Sequence, residues 1–442
     1  MHSLRILIAI AAALLSALVP SDPAVSAGLA LFVLIGLLWL TEALPLTYTA
    51  LLVPVVGIAL GLAPVKTALA GFAHPVIGLF LGGFALAAAL SEHGIDRWLA
   101  HRLLNLARGR ALPAALILAA TTALLSMWIS NTATTAMMLP VALGLCMPVG
   151  ESFPRFRLFV LLALAWSANV GGIATLVGSP PNAITAAALG LEFNQWLAIG
   201  MPVFALLFPL ALLVLYLAVR PESDVPDVDA GHQAPFPAST GAWTTLAIFF
   251  LTVALWVGGA PVASLLGIES SFDTWVALLA IVLLGITGST RWQTIEHHAN
   301  WGVLLLFGGG ITLSTLMQTS GASAWLADGM SQWLPHGQPW LMYLMVALFV
   351  VFLTELVSNT ASAALLVPLM MPVASAVGAS TEVTALLIGL AASCAFMLPV
   401  ATPPNALVFG SGYVPQKAMM RAGIILNLVA AGLLAMLVPV LA

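Results

Sequence analysis

Ser130-Asn131-Thr132-Ala133 and Ser358-Asn359-Thr360-Ala361 are the same tetrapeptide, found once in each half of the chain. Each interrupts a long apolar segment, near 112–148 and 339–378, and each run continues to a proline, Pro140 or Pro368. Outward from them, other blocks pair in the same order. Leu79-Phe80 and Gly82-Gly83 answer to Leu306-Phe307 and Gly309-Gly310, and Gly94 to Gly321. Trp98-Leu99-Ala100 returns as Trp325-Leu326-Ala327, and Pro180-Pro181-Asn182-Ala183 as Pro403-Pro404-Asn405-Ala406. Blocks repeated in one order at nearly constant spacing mark an internal duplication.

The surroundings of these blocks are too apolar for water. Of 442 residues, 62% are hydrophobic and 6% charged, whereas a soluble domain carries roughly a quarter charged residues. Runs such as Ile6–Leu18, Leu29–Leu40, Leu206–Val219 and Ile424–Leu441, with their uncharged flanks, approach the ~20 residues that span a bilayer. The class is an all-α integral membrane protein. The net charge of −4 says little about partners, and Cys146 and Cys394 lie in apolar runs that suggest neither disulfide nor metal site. Arg5, an apolar stretch and Ala24-Val25-Ser26-Ala27 read either as a cleaved secretory signal or as a first membrane helix. The helix is preferred, because the next span follows at once.

Spans are expected near 4–20, 27–44, 49–63, 75–95, 156–188, 195–219, 241–258, 273–288, 301–318, 383–410 and 418–441. If the two interrupted segments are re-entrant hairpins, about eleven spans remain, and the termini lie on opposite faces. With the N-terminus cytoplasmic, Arg5, Arg97, Arg102, Arg108, Arg110, Arg155, Arg157, Arg220, Arg291, Lys417 and Arg421 fall inside and only Lys66 falls outside, as the positive-inside rule asks. The first hairpin then enters from the cytoplasm, between Arg108/Arg110 and Arg155/Arg157, and the second, with no basic flank, from outside. Repeats that open to opposite faces are inverted, the arrangement of secondary transporters with a site near the midplane. Glu92–Leu106 and Gly321–Leu334 read as interfacial helices leading into the hairpins. Glu222, Asp224, Asp227 and Asp229, with prolines between, read as a solvated linker joining the halves.

Irregular backbone at membrane depth is tolerated only against protein or a wet cavity. A Ser-Asn-Thr tip there offers two hydroxyls and an amide oxygen to a hard cation. The N–H groups opening the next helix suit an anion. The breaks Gly178-Ser179-Pro180-Pro181-Asn182 and Ala401-Thr402-Pro403-Pro404-Asn405 release carbonyls in a second helix beside each tip. Ser126 and Thr354 stand four residues before Ser130 and Ser358 and stack beneath the tips. They read as cation ligands or as hydroxyls bonded back to the i−4 carbonyl. Glu355 is a deep carboxylate with Met127 as its counterpart, suited to holding a cation or to bracing the hairpin. No arginine or lysine is expected in the membrane core, so an anionic substrate would be neutralised by cations and helix ends. The adjacent His297 and His298 lack metalloprotease spacing, and Gly308-Gly309-Gly310 is close helix packing.

These motifs, with Thr41-Glu42-Ala43-Leu44-Pro45 and Leu306-Phe307-Gly308-Gly309-Gly310, resemble the divalent anion/sodium symporter family from about residue 30 to 430. The resemblance implies an elevator-type homodimer in the cell inner membrane that carries C4-dicarboxylates, citrate or sulfate with two or more Na+. It implies substrate contacts at Ser130, Asn131, Thr132, Ser358, Asn359, Thr360, Thr402 and Pro403. One sodium would lie near Ser126, Ser130, Asn131, Gly178 and Asn182, and another near Thr354, Ser358, Asn359, Ala401 and Asn405. Scaffold segments 1–107 and 241–336 would flank transport segments 108–220 and 337–442, with a linker at 221–240. The first break reads Gly-Ser-Pro-Pro where many members have Gly-Thr-Pro-Pro, and the hydroxyl is kept.

A dicarboxylate exchanger of the same family is the nearest rival, and a sulfate or citrate carrier the next. A cation/proton antiporter would show a buried aspartate pair at the midplane, and an intramembrane enzyme a nucleophile with a base. Neither pattern is present, so no enzymatic activity is expected.

Overall fold

The computed structural model describes residues 2–146, 152–226, 235–268, 270–332 and 338–442, which form helices and connecting turns without a strand. The first half holds α1 (His2–Ser16), α2 (Pro23–Thr41), α3 (Leu46–Ala59), α4 (Val65–Ala70), α5 (Pro75–Glu92) and α6 (Ile95–Leu104). It continues with α7 (Ala111–Ser126), α8 (Asn131–Cys146), α9 (Pro154–Gly171), α10 (Pro180–Leu189) and α11 (Phe193–Val219). The second half holds α12 (Thr240–Gly258), α13 (Ala260–Leu266), α14 (Phe272–Ile286), α15 (Trp292–His298), α16 (Trp301–Thr319) and α17 (Ala322–Ser331). It closes with α18 (Pro339–Leu353), α19 (Asn359–Ala376), α20 (Thr381–Ala392), α21 (Pro403–Gly410) and α22 (Gln416–Leu441). Helices α2 to α11 correspond in order to α12 and α14 to α22, with α13 as an insertion.

Contacts between the halves are reciprocal. Helix α5 packs on α14 as α16 packs on α3, and α8 meets α21 as α19 meets α10. Phe80 and Phe307, equivalent by the repeat, meet edge to face at 5.0 Å, so the pseudo-twofold axis passes between them. The halves are interlocked, each hairpin lying against the other half's broken helix.

The hairpins follow from length and capping. Helices α7, α8 and α18 have 16, 16 and 15 residues, short of the ~20 a crossing needs. Each hairpin turns at its Ser-Asn-Thr. The breaks lie earlier than the proline pairs suggested. Residues 172–179 and 393–402 are unwound, while Pro180-Pro181 and Pro403-Pro404 open α10 and α21. The physical reason is that proline lacks an N–H and has helical φ, which suits the first turn of a helix and not the break itself.

Three short helices go beyond the sequence reading. Helix α4 tucks against α16, where Thr312 Oγ1 donates to Ala68 O at 3.1 Å. Its counterpart α15 packs on α5 and contains His297 and His298. The linker also differs from a fully solvated strand. Glu222 accepts from Phe156 N at 2.7 Å and pairs with Arg155 Nε at 3.1 Å, anchoring the start of α9. Asp227 and Asp229 lie outside the described residues, as do the expected interfacial residues beyond Gln332. The interfacial helices themselves are α6 and α17.

Candidate functional site

The two tips are built alike to the atom. Ser126 Oγ lies 2.6 Å from Asn131 Oδ1 and 2.8 Å from Ala168 O. Thr354 Oγ1 lies 2.6 Å from Asn359 Oδ1 and 3.0 Å from Ala392 O. Both hydroxyls are fully buried. A hydroxyl has one hydrogen to give, so each cluster gathers more oxygen lone pairs than its own proton satisfies. Such a surplus could be taken up by a hard, monovalent cation. The alternative of back-bonding to the i−4 carbonyl does not apply, since Ser126 and Thr354 reach across to α9 and α20 instead. Beside the first cluster the backbone closes tightly: a Cβ on Gly172 would stand 2.5 Å from Asn131 Oδ1, and one on Gly178 would stand 2.6 Å from Gly172 O. Only glycine permits that approach.

Each break is held by the asparagine that follows its prolines. Asn182 Nδ2 donates to Gly172 O and Thr175 O, both at 2.8 Å, and Asn405 Nδ2 donates to Ala395 O and Leu398 O, both at 3.1 Å. Their amide N–H groups therefore brace the unwound backbone, and only their Oδ1 atoms are available for other roles. The halves are also tied across the axis. Asn169 of α9 places its Nδ2 3.1 Å from Thr402 Oγ1, and Ser393, just past α20, lies 3.2 Å from Ser179.

Glu355 is 1% exposed and accepts four bonds. Phe396 N and Met397 N donate to Oε1 at 2.7 and 2.8 Å, Leu398 N to Oε2 at 2.8 Å, and Asn427 Nδ2 to Oε1 at 2.7 Å. The carboxylate thus holds the second break to its hairpin and to α22. The first half does this differently: the Thr175 hydroxyl donates to Met127 O.

A cavity of about 970 Å³ joins these parts. Ser130, Asn131, Thr132, Ser358, Asn359, Thr360, Thr402 and Pro403, every residue expected to touch substrate, line it. Gly178 and Ala401 line it too, while Ser126, Thr354, Asn182 and Asn405 lie behind the wall. Ser130 Oγ accepts from Ala133 N at 3.3 Å and so caps α8, whose first N–H groups face the tip. No lysine or arginine lines the cavity among the described residues. The opposite wall was not foreseen: Glu42, Thr47, His298 and Asn300. Glu42 holds a left-handed backbone at φ 47° directly after α2. Among the described residues no cluster of three or more His, Cys, Asp and Glu is placed to hold a metal.

The chain matches the family described as Citrate transporter, over residues 36–389. It belongs to that family. It is 46% identical to an uncharacterized transporter of Haemophilus influenzae, across 93% of this chain and 90% of that protein. It is 32% identical to the sodium-dependent dicarboxylate transporter SdcS of Staphylococcus saprophyticus, across 90% of this chain and 83% of that one. Relatives of this kind bear out the resemblance to divalent anion/sodium symporters. The fold is shared with the YdaH transporter of Alcanivorax borkumensis, at TM-score 0.57 and 16% identity over 83% of this chain and 86% of the other. This citrate transporter family member is accordingly a multi-pass membrane protein with helices long and apolar enough to cross.

What the sequence missed was mainly Asn169, Ser393 and the cross-axis contact of Ser179. A signal existed for Asn169, a buried amide in a run, 158–171, where Ser167 is the one other polar side chain. The partners of all three lie in the opposite half, where no local pattern points to them.

Proposed function

We propose that this chain is a sodium-coupled symporter of a small dianion, a C4-dicarboxylate such as succinate, working by an elevator movement. The observation that carries the reading is the matched pair of oxygen clusters, Ser126/Asn131/Ala168 and Thr354/Asn359/Ala392, each directly beneath a hairpin tip. Two cations there would neutralise a dianion held between the tips. Its carboxylates would meet the Ser130 and Ser358 turns and the N–H groups opening α8 and α19, where helix dipoles present their positive ends. A cavity without lysine or arginine fits this, because the neutralising charge comes from the ions. Sodium dependence and dicarboxylate transport are properties carried by name in SdcS, which supports the same reading here. In this scheme segments 1–107 and 241–336 form the scaffold, 108–220 and 337–442 form the moving part, and the protein is a homodimer. The N-terminus is placed in the cytoplasm and the C-terminus outside, in the inner membrane.

The test is uptake of radiolabelled succinate into proteoliposomes, with and without an inward sodium gradient, beside Asn131→Ala. Sodium-dependent uptake that vanishes in the variant is the expected result. Uptake that needs internal dicarboxylate and ignores sodium would make the protein an exchanger and overturn the proposal.

A further inference from the structure

The two breaks share the asparagine brace but differ in the side chain that reaches each from across the axis, Asn169 in one case and Ser393 in the other. In the second half, Asn169 Nδ2 stands among Ala395 O at 3.3 Å, Thr402 Oγ1 at 3.1 Å and Asn405 Oδ1 at 3.4 Å. The brace pattern fixes the equivalents of these three oxygens in the first half. Asn405 bonds Ala395 O and Leu398 O just as Asn182 bonds Gly172 O and Thr175 O. Both asparagines open the same Pro-Pro-Asn step, and Thr402 precedes one pair as Ser179 precedes the other. The equivalent oxygens are therefore Gly172 O, Ser179 Oγ and Asn182 Oδ1.

The residue that should bring a nitrogen to them is Ser393, the counterpart of Asn169. Ser126 touches Ala168 O, one residue before Asn169, and Thr354 touches Ala392 O, one residue before Ser393. Ser393 brings a hydroxyl, not an amide, and reaches only Ser179 Oγ at 3.2 Å. Asn182 Oδ1 is left fully buried with no donor. Its amide is not reversed: Gly172 O and Thr175 O are both acceptors, so the nitrogen must face them. A buried acceptor without a partner is costly. By the equivalence with the second half it falls beside Gly172 O, Ser179 Oγ and Ser393 Oγ, just past the C-terminal end of α9, where the helix dipole is negative. The group contains no carboxylate, so a divalent ion is poorly matched.

We propose that Gly172 O, Ser179 Oγ, Asn182 Oδ1 and Ser393 Oγ form a third monovalent cation site, filled by sodium where the other half uses the Asn169 amide. The inference rests on the sodium coupling proposed above. It gives a reason for the exchange of Asn169 for Ser393: one half reaches its break with an amide N–H and the other takes an ion.

The test is the number of sodium ions bound per protomer, counted with ²²Na⁺ on the purified full-length protein. Ser393→Asn supplies the missing amide and is expected to lower the count by one. Ser393→Ala, the milder change, is expected to raise the half-saturating sodium concentration by about tenfold and to reduce the Hill slope. Counts and slopes equal to the unchanged protein in both variants would overturn the third site while leaving sodium coupling intact, and would make water the occupant. Absence of ²²Na⁺ binding to the unchanged protein would overturn both.

Discussion

At the scale of single residues, Glu355 separates what holds the site from what fills it. Its two oxygens accept three consecutive backbone N–H groups and the Asn427 amide, so three adjoining donors of the second break depend on it. Leaving a buried donor without its acceptor costs about 1–3 kcal/mol, because the group stays desolvated. Glu355→Gln would turn an NH2 toward donors that need an acceptor. We expect it to lower the thermal unfolding temperature of the detergent-solubilised protein markedly, whether or not sodium is present. Asn131→Ala should instead leave the sodium-free unfolding temperature near that of the parent and abolish its rise on adding sodium. A Glu355→Gln protein as stable as the parent would mean that the carboxylate is dispensable as a brace.

At the scale of elements, the linker adds a pH dependence that its composition alone does not announce. Partial burial works against the charge of Glu222, but Phe156 N, Arg155 and neighbouring N–H groups outweigh it and hold the carboxyl below the usual range. A carboxylate depressed in the folded state contributes stability above its unfolded value, and that stability is lost as pH falls through the folded value. The clasp is therefore complete at neutral pH and weakens below about pH 4. Its exposed arginine limits the contribution to at most about 1 kcal/mol after solvent screening. Unfolding temperatures measured from about pH 5 down to about pH 2 should fall less steeply in Glu222→Gln than in the parent; identical slopes would show that the clasp does not matter.

The same scale shows where sequence reading works and where it stops. Both hairpins, both broken helices and the inverted repeat were legible, because Ser-Asn-Thr and Pro-Pro-Asn recur in order and apolar length counts crossings. The exact unwound stretches were not, since proline marks the start of α10 and α21 and leaves the preceding 172–179 and 393–402 unmarked. Helices α4, α13 and α15 have 6, 7 and 7 residues, too few for a periodic signal to build up. Asn169 and Ser393 escaped because their meaning lies in contacts across the pseudo-twofold axis.

At the scale of the whole molecule, the seam between the proposed scaffold and moving parts is lined with small residues. A Cβ added to Gly310 of α16 would stand 3.2 Å from Ala364 Cβ of α19, and one added to Gly36 of α2 would stand 3.2 Å from Leu365 Cδ1. Helices that approach this closely present smooth faces, and smooth faces can slide as a rigid body where interdigitated ones cannot. The Gly310–Ala364 spacing lies just under the 3.5–4.5 Å between Cβ atoms of a disulfide, so cysteines at both positions can join after a slight shift. The native Cys146 and Cys394 are buried and should not compete. Gly310→Cys combined with Ala364→Cys is expected to cross-link under mild oxidation, to stop sodium-driven uptake, and to recover it on reduction. Each single variant should transport under both conditions. Undiminished uptake by the cross-linked protein would rule out movement of the second hairpin past α16, and with it the elevator, while leaving the ion and dianion sites where they are.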